Sequence, residues 1–259
     1  MKRYKLRYPG LVFFLYLLTI FPATMNAVRQ GVAVSIMFYA FTFILNKKPL
    51  KYTLLTLLAG LFHISALLLI PFYFLGRLFD VQKRSLHKLQ LLAKSRFFIR
   101  LGLVLILLSL VMANVFTLVL GIPGFEKYEL YLNLPEEGSN YIFYIRLFLL
   151  ITILLLAKYT IFKGDYRQNA FIFAGAMVEI IILILGFASP FIKREALYFS
   201  PFLIMLLPNI INLLEQRVRY RFTLYTACLL YGISFFTVSY LLLDQANIIP
   251  YNSSVRSVE

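Results

Sequence analysis

Apolar runs separated by short charged blocks leave this chain few ways to fold. The runs lie at roughly 8–23, 28–45, 52–75, 97–120, 141–162, 169–188, 196–214 and 222–243. A helix that crosses the hydrocarbon core needs about 20 apolar residues, with a range near 17–25. The first run is short by that measure and the others fit. Within lipid no water satisfies the backbone, so each run must bond internally as a helix. Composition agrees: 61% of the 259 residues are hydrophobic, where a soluble domain has about 45–50%. The fold class expected is all-α, a polytopic integral membrane helical bundle. Residues 1–259 form one membrane domain in this reading.

The charges orient the bundle. Only 14% of residues are charged, yet the net charge is +15. The basic residues sit in short blocks between apolar runs, as in loops retained on the cytoplasmic side. That distribution argues against nucleic acid as a partner. The N-terminal block carries Lys2, Arg3, Lys5 and Arg7, and the 46–51 block carries Lys47, Lys48 and Lys51. The 76–96 block carries Arg77, Lys83, Arg84, Lys88, Lys94 and Arg96, and the 215–221 block carries Arg217, Arg219 and Arg221. The 121–140 block, with Glu126, Glu129, Glu136 and Glu137, is the natural acidic outer loop. Leucines interleaved with the bases make 76–96 a cytoplasmic interfacial segment on anionic lipid. The N-terminal run shows no clear cleavage site and reads as an uncleaved first helix.

One conflict follows. The basic blocks 46–51 and 76–96 flank a single apolar run, and a straight span would put them on opposite sides. A re-entrant or hairpin segment around 52–75, turning near His63, keeps both inside. Each arm is then about 11 residues, roughly 16 Å, or about half the core. The bundle expected is therefore about seven full spans plus that hairpin. The same topology brings Arg29, His63, Arg194 and the Pro250-Tyr251 pair toward the outer leaflet.

Polar side chains inside apolar runs are expensive and normally face a bundle interior or a water-filled cavity. Arg29 lies in Asn26-Ala27-Val28-Arg29-Gln30, and His63 lies in Phe62-His63-Ile64-Ser65-Ala66. Glu179 sits in mid-run, with Arg146 or Asn114 as possible partners. A structural reading exists for each: a lipid-phosphate anchor for Arg29, a hydrogen-bonding core residue for His63, a surface ion pair for Arg194 beside Lys193 and Glu195, and an interior pair for Glu179. Cys228 is the single cysteine. No disulfide framework, cofactor motif or metal-spaced ligand cluster is legible, so neither cofactor nor metal is expected.

Asn26-Ala27-Val28-Arg29-Gln30 through Ala33, then Phe62-His63-x-Ser65-Ala66, resemble the EpsG-like branch of the Wzy-type polysaccharide polymerases. Arg194-x-x-x-Tyr198-Phe199 and Ile249-Pro250-Tyr251 extend the resemblance in the same order. Members of that family carry further helices before the Asn-x-x-Arg-Gln motif, where this chain has one. The resemblance thus implies a chain lacking the N-terminal helices. It also implies polymerisation of polyprenyl-pyrophosphate-linked repeat units into an exopolysaccharide, capsule or O-antigen, in a bacterial plasma or inner membrane. The partners implied are that lipid-linked oligosaccharide, membrane lipids and other polysaccharide-assembly proteins.

Given such a donor, guanidinium groups suit the pyrophosphate, because they stay charged and bond phosphate oxygens in a fork. No Asp-x-Asp pair occurs, so a metal-independent glycosyltransferase is expected. The catalytic residues expected are Arg29, His63 and Arg194. His63 would accept the proton of an attacking sugar hydroxyl. The substrate-binding residues expected are Asn26, Gln30, Ser65, Tyr198, Tyr251 and Glu179. Two rival functions stay open: an O-antigen ligase or membrane acyltransferase, and a transporter or flippase without chemistry. A ligase calls for a large basic outer loop. A transporter calls for paired helix breaks in two matching halves.

Overall fold

The computed structural model describes residues 8–74, 141–157, 166–186, 190–214 and 218–244, and every regular element among them is helical. In chain order these are α1 (Pro9–Thr19), α2 (Phe21–Asn26), α3 (Val28–Leu45) and α4 (Pro49–Phe62), followed by a 3-10 helix at Ile64–Leu69. Then come α5 (Tyr141–Ala157), α6 (Tyr166–Leu185), α7 (Pro190–Glu195) and a second 3-10 turn at Ala196–Tyr198. The last are α8 (Ser200–Leu214) and α9 (Val218–Phe236), which runs into a π-helix at Thr237–Leu242. The basic segment 76–96, the apolar run 97–120 and the acidic loop 121–140 lie outside the described residues.

Among the described residues, two helices are long and apolar enough to cross a membrane, Val28–Leu45 and Phe222–Leu242. The first apolar run is broken rather than continuous. Ile20 stays in the right-handed region but is distorted, at φ −115 ψ −44, and Ala27 leaves it, at φ −118 ψ 60. Pro9, Pro22 and Pro49 each stand in the first turn of their helices, where a missing N–H costs nothing. Between α3 and α4 the chain turns through Asn46-Lys47-Lys48. Lys47 takes the left-handed conformation there, at φ 56, and the Asn46 side chain donates to the Thr42 carbonyl at 2.8 Å.

The 52–75 segment is a fold-back and not a straight helix. At His63 the backbone becomes extended, with φ −148 and ψ 115. The following 3-10 helix returns along α4. The Tyr52 hydroxyl donates to the Leu69 carbonyl at 2.6 Å, and the Tyr52 and Tyr73 rings lie 5.5 Å apart. Gly60 makes the tight turn possible. A Cβ there would stand 2.5 Å from Leu67 Cδ2.

An aromatic core holds this hairpin to the rest. Phe41 of α3 is fully buried. It stacks on Phe199 at 5.8 Å and meets Phe72 at 5.5 Å. Phe72 closes the triangle on Phe199 at 5.0 Å. Phe202 continues the cluster to Phe171 of α6 at 5.6 Å. Rings in edge and offset geometry at these separations add to the area they bury. The core thus locks α3, the hairpin, α6 and the start of α8 together directly behind residues 196–199. On the other side α1 packs against α9 at Gly232, where a Cβ would sit 3.1 Å from Leu15. The Tyr240 hydroxyl of the π-segment donates to the Thr19 carbonyl at 2.9 Å.

Candidate functional site

Three breaks in helical structure meet at one place. The first is the Ala27 elbow between α2 and α3. Gly31 lets it close, since a Cβ there would lie 2.8 Å from Thr24 Cβ. Asn26 and Arg29 flank the elbow and are both exposed. The second is the hairpin tip at His63. The third is the connector α7 with its 3-10 turn, which carries Arg194 and Tyr198.

Specific bonds tie the three together. Gln30 is 3% exposed, and its Nε2 donates to the Arg194 carbonyl at 3.0 Å. That bond fastens the first turn of α3 to the connector. The Ser65 and Tyr198 hydroxyls share a hydrogen bond of 3.2 Å, which fastens the hairpin tip to the same connector. With the backbones held so, the side chains of Arg29 and Arg194 remain exposed and His63 is half-buried. Both guanidinium groups act electrostatically on the His63 ring. Two cations and an imidazole therefore share one rim, built from three distant parts of the chain.

The residues expected to bind substrate divide into layers. Asn26 stands at the rim. Gln30, Ser65 and Tyr198 are buried behind it, and their polar atoms bond to other parts of the protein. Tyr251 lies outside the described residues. Glu179 is fully buried in α6 and pairs with Arg146 of α5. The Ser200 hydroxyl donates to the same carboxylate oxygen at 2.7 Å. Arg146 also stands over the Phe235 ring, 5.4 Å from its centroid. Of the two partners expected for Glu179, the structure shows Arg146, and Asn114 lies outside the described residues.

Arg194 and Glu195 do not behave as a surface ion pair. Arg194 points outward while Glu195, the next residue, is 4% exposed. Burial pushes the Glu195 carboxyl up to about 7, offset in part by a hydrogen bond with Ser65. Sequence reasoning passed over this acid because it stands beside two bases. The usable signal was its place three residues before Tyr198, on one helical face, at the start of an apolar stretch.

Comparison with known proteins matches residues 1–253 to the EpsG family. No curated protein and no solved structure matches the chain.

Proposed function

The chain belongs to the EpsG family, and from that premise we propose that it polymerises polyprenyl-pyrophosphate-linked oligosaccharide repeats. The product is an exopolysaccharide, capsule or O-antigen made on the outer face of a bacterial plasma or inner membrane. The family points to polysaccharide biosynthesis, and the apolar helices to a membrane protein. The finer reading adds a multi-pass bundle of about seven spans, with the 52–75 hairpin entering from the inside and turning near the outer leaflet.

One observation carries the reading: the Gln30–Arg194 and Ser65–Tyr198 bonds gather exposed Arg29, exposed Arg194 and half-buried His63 from three parts of the chain. A hydroxyl at the nonreducing end of one repeat attacks the anomeric carbon of the lipid-linked growing chain. The new C–O bond forms as the bond to pyrophosphate breaks, and the electron pair leaves with the pyrophosphate. Arg29 and Arg194 meet that developing charge through forked N–H donors. Neutral His63 takes the proton of the attacking hydroxyl. A leaving group stabilised by two guanidinium groups needs no metal in this scheme.

The test is polymer formation in a strain lacking its own polymerase. Arg29→Ala abolishes polymer while the protein remains in the membrane. Arg29→Lys is partly active, because lysine keeps the charge and loses the fork. Polymer of wild-type length from Arg29→Ala overturns the reading.

A further inference from the structure

Two hydroxyls that the proposed chemistry does not use lie behind the rim. The connector carries Arg194 and Tyr198 four residues apart, about one helical turn. One end of it is fixed in the core, where Phe199 stacks on Phe41 at 5.8 Å and meets Phe72 at 5.0 Å. Tyr198, the residue before, has no exposed surface. Its hydroxyl meets the Ser65 hydroxyl at 3.2 Å, across 133 residues of sequence. Ser65 is itself 5% exposed.

Ser65 belongs to the same short turn as His63. The backbone is extended at His63, and the 3-10 helix starts at the next residue without a side-chain cap. The Ala66 N–H donates to the His63 carbonyl at 3.0 Å, so His63 to Ala66 form one closed turn. A short, uncapped 3-10 turn is held weakly by its own bonds. Its place is set by what it touches elsewhere. A buried hydroxyl needs a hydrogen-bond partner, and here each of the two serves the other.

Building on the polymerase reading, we propose that Tyr198 is a positioning residue: through Ser65 it sets where the His63 imidazole stands relative to Arg194. This differs from the direct substrate contact expected for Ser65 and Tyr198. Arg194 lies one turn before Tyr198 on the connector, and His63 lies two residues before Ser65 on the hairpin. One hydrogen bond thus references the proton acceptor to the cation that meets the leaving group. Without it the hairpin tip loosens and His63 drifts from the attacking hydroxyl. Arg29 and Arg194 still hold the pyrophosphate. A displaced proton acceptor slows the chemical step and leaves substrate binding alone.

The test is a double-mutant cycle of Tyr198→Phe and Ser65→Ala in the whole chain, read in two ways. Tyr198→Phe keeps the ring in the core and removes only the hydroxyl. In purified protein, hydrogen exchange of the 60–70 peptide is expected to quicken about three- to tenfold in either single variant, the equivalent of one lost hydrogen bond. The double variant is expected to exchange no faster than the singles, because both remove the same bond. In polymer assays kcat is expected to fall several-fold in all three variants with KM unchanged. Wild-type exchange in Tyr198→Phe overturns the proposal, as do effects that add in the double variant. A raised KM with normal kcat makes the two residues substrate contacts and overturns it too, as does a loosened tip with normal kcat. If Ser65→Ala does not fold, Tyr198→Phe decides alone through its exchange rate, kcat and KM. A wild-type chain that makes no polymer, with the exchange cycle as expected, refutes the polymerase reading and leaves the Tyr198–Ser65 tie standing.

Discussion

Arg146 and Arg29 carry the same side chain into opposite circumstances. Arg146 is 4% exposed, paired with Glu179, capped by a serine-bonded carboxylate and laid over a phenylalanine ring. Arg29 is exposed beside a second exposed arginine, and the acid adjacent to that second arginine is turned inward. One arrangement spends its charge inside the protein; the other keeps it available. Like charges held together repel, so a rim carrying both Arg29 and Arg194 is favourable only with an anion present or with water to screen it. The lesson is that an arginine in an apolar segment is not informative by itself. What its charge faces decides between scaffold and site.

The strongest way to break this contrast is to unbalance the buried pair. Glu179→Ala leaves Arg146 as an uncompensated interior charge, and a loss of about 3–5 kcal/mol is expected. The measurement is thermal unfolding in detergent together with the amount of protein in the membrane. The double replacement Arg146→Met with Glu179→Leu removes both charges and should recover most of that loss. If it does not, the pair has a role beyond balancing itself. Ser200→Ala is milder. It deletes the 2.7 Å donor to the Glu179 carboxylate, worth about 1.5–3 kcal/mol for a bond to a charged group. Unfolding should register this with the rim chemistry unchanged. Gln30→Ala sharpens the other side of the comparison. It removes the 3.0 Å bond to the Arg194 carbonyl, at about 1 kcal/mol. Stability should barely move, while polymer yield drops several-fold because Arg194 is no longer held. A large unfolding effect with normal polymer would make Gln30 a scaffold residue instead.

The parts legible in the sequence were those fixed by cost in lipid. Arg29, His63 and Glu179 stood out because each interrupts an apolar run. The fold-back at His63 followed from two basic blocks flanking one run, and the Tyr52–Leu69 bond shows the return. Short-range geometry was harder to see. The breaks at Ile20 and Ala27 have no glycine to mark them, and the Ala27 elbow depends on Gly31 fitting against Thr24. Tertiary bonds were invisible. Nothing local distinguishes Gln30 as a clamp, and Glu195 looked like a surface acid because its neighbours Lys193 and Arg194 are basic. Its burial is a property of the tertiary fold and not of its neighbours in sequence.

The π-helix at Thr237–Leu242 closes α9. A π-turn is a helix that has absorbed a residue without unwinding, and it is commonly found where a particular side chain has to be aimed. Here the extra residue sets the rotation at which Tyr240 reaches the Thr19 carbonyl. One residue corresponds to about 100° of helical turn. Deleting one residue between 237 and 239 would thus let the segment relax to an ordinary helix and carry Tyr240 away from the Thr19 carbonyl. The segment is a phase setting between the first helix and the end of α9. It should tolerate changes of side chain far better than changes of length.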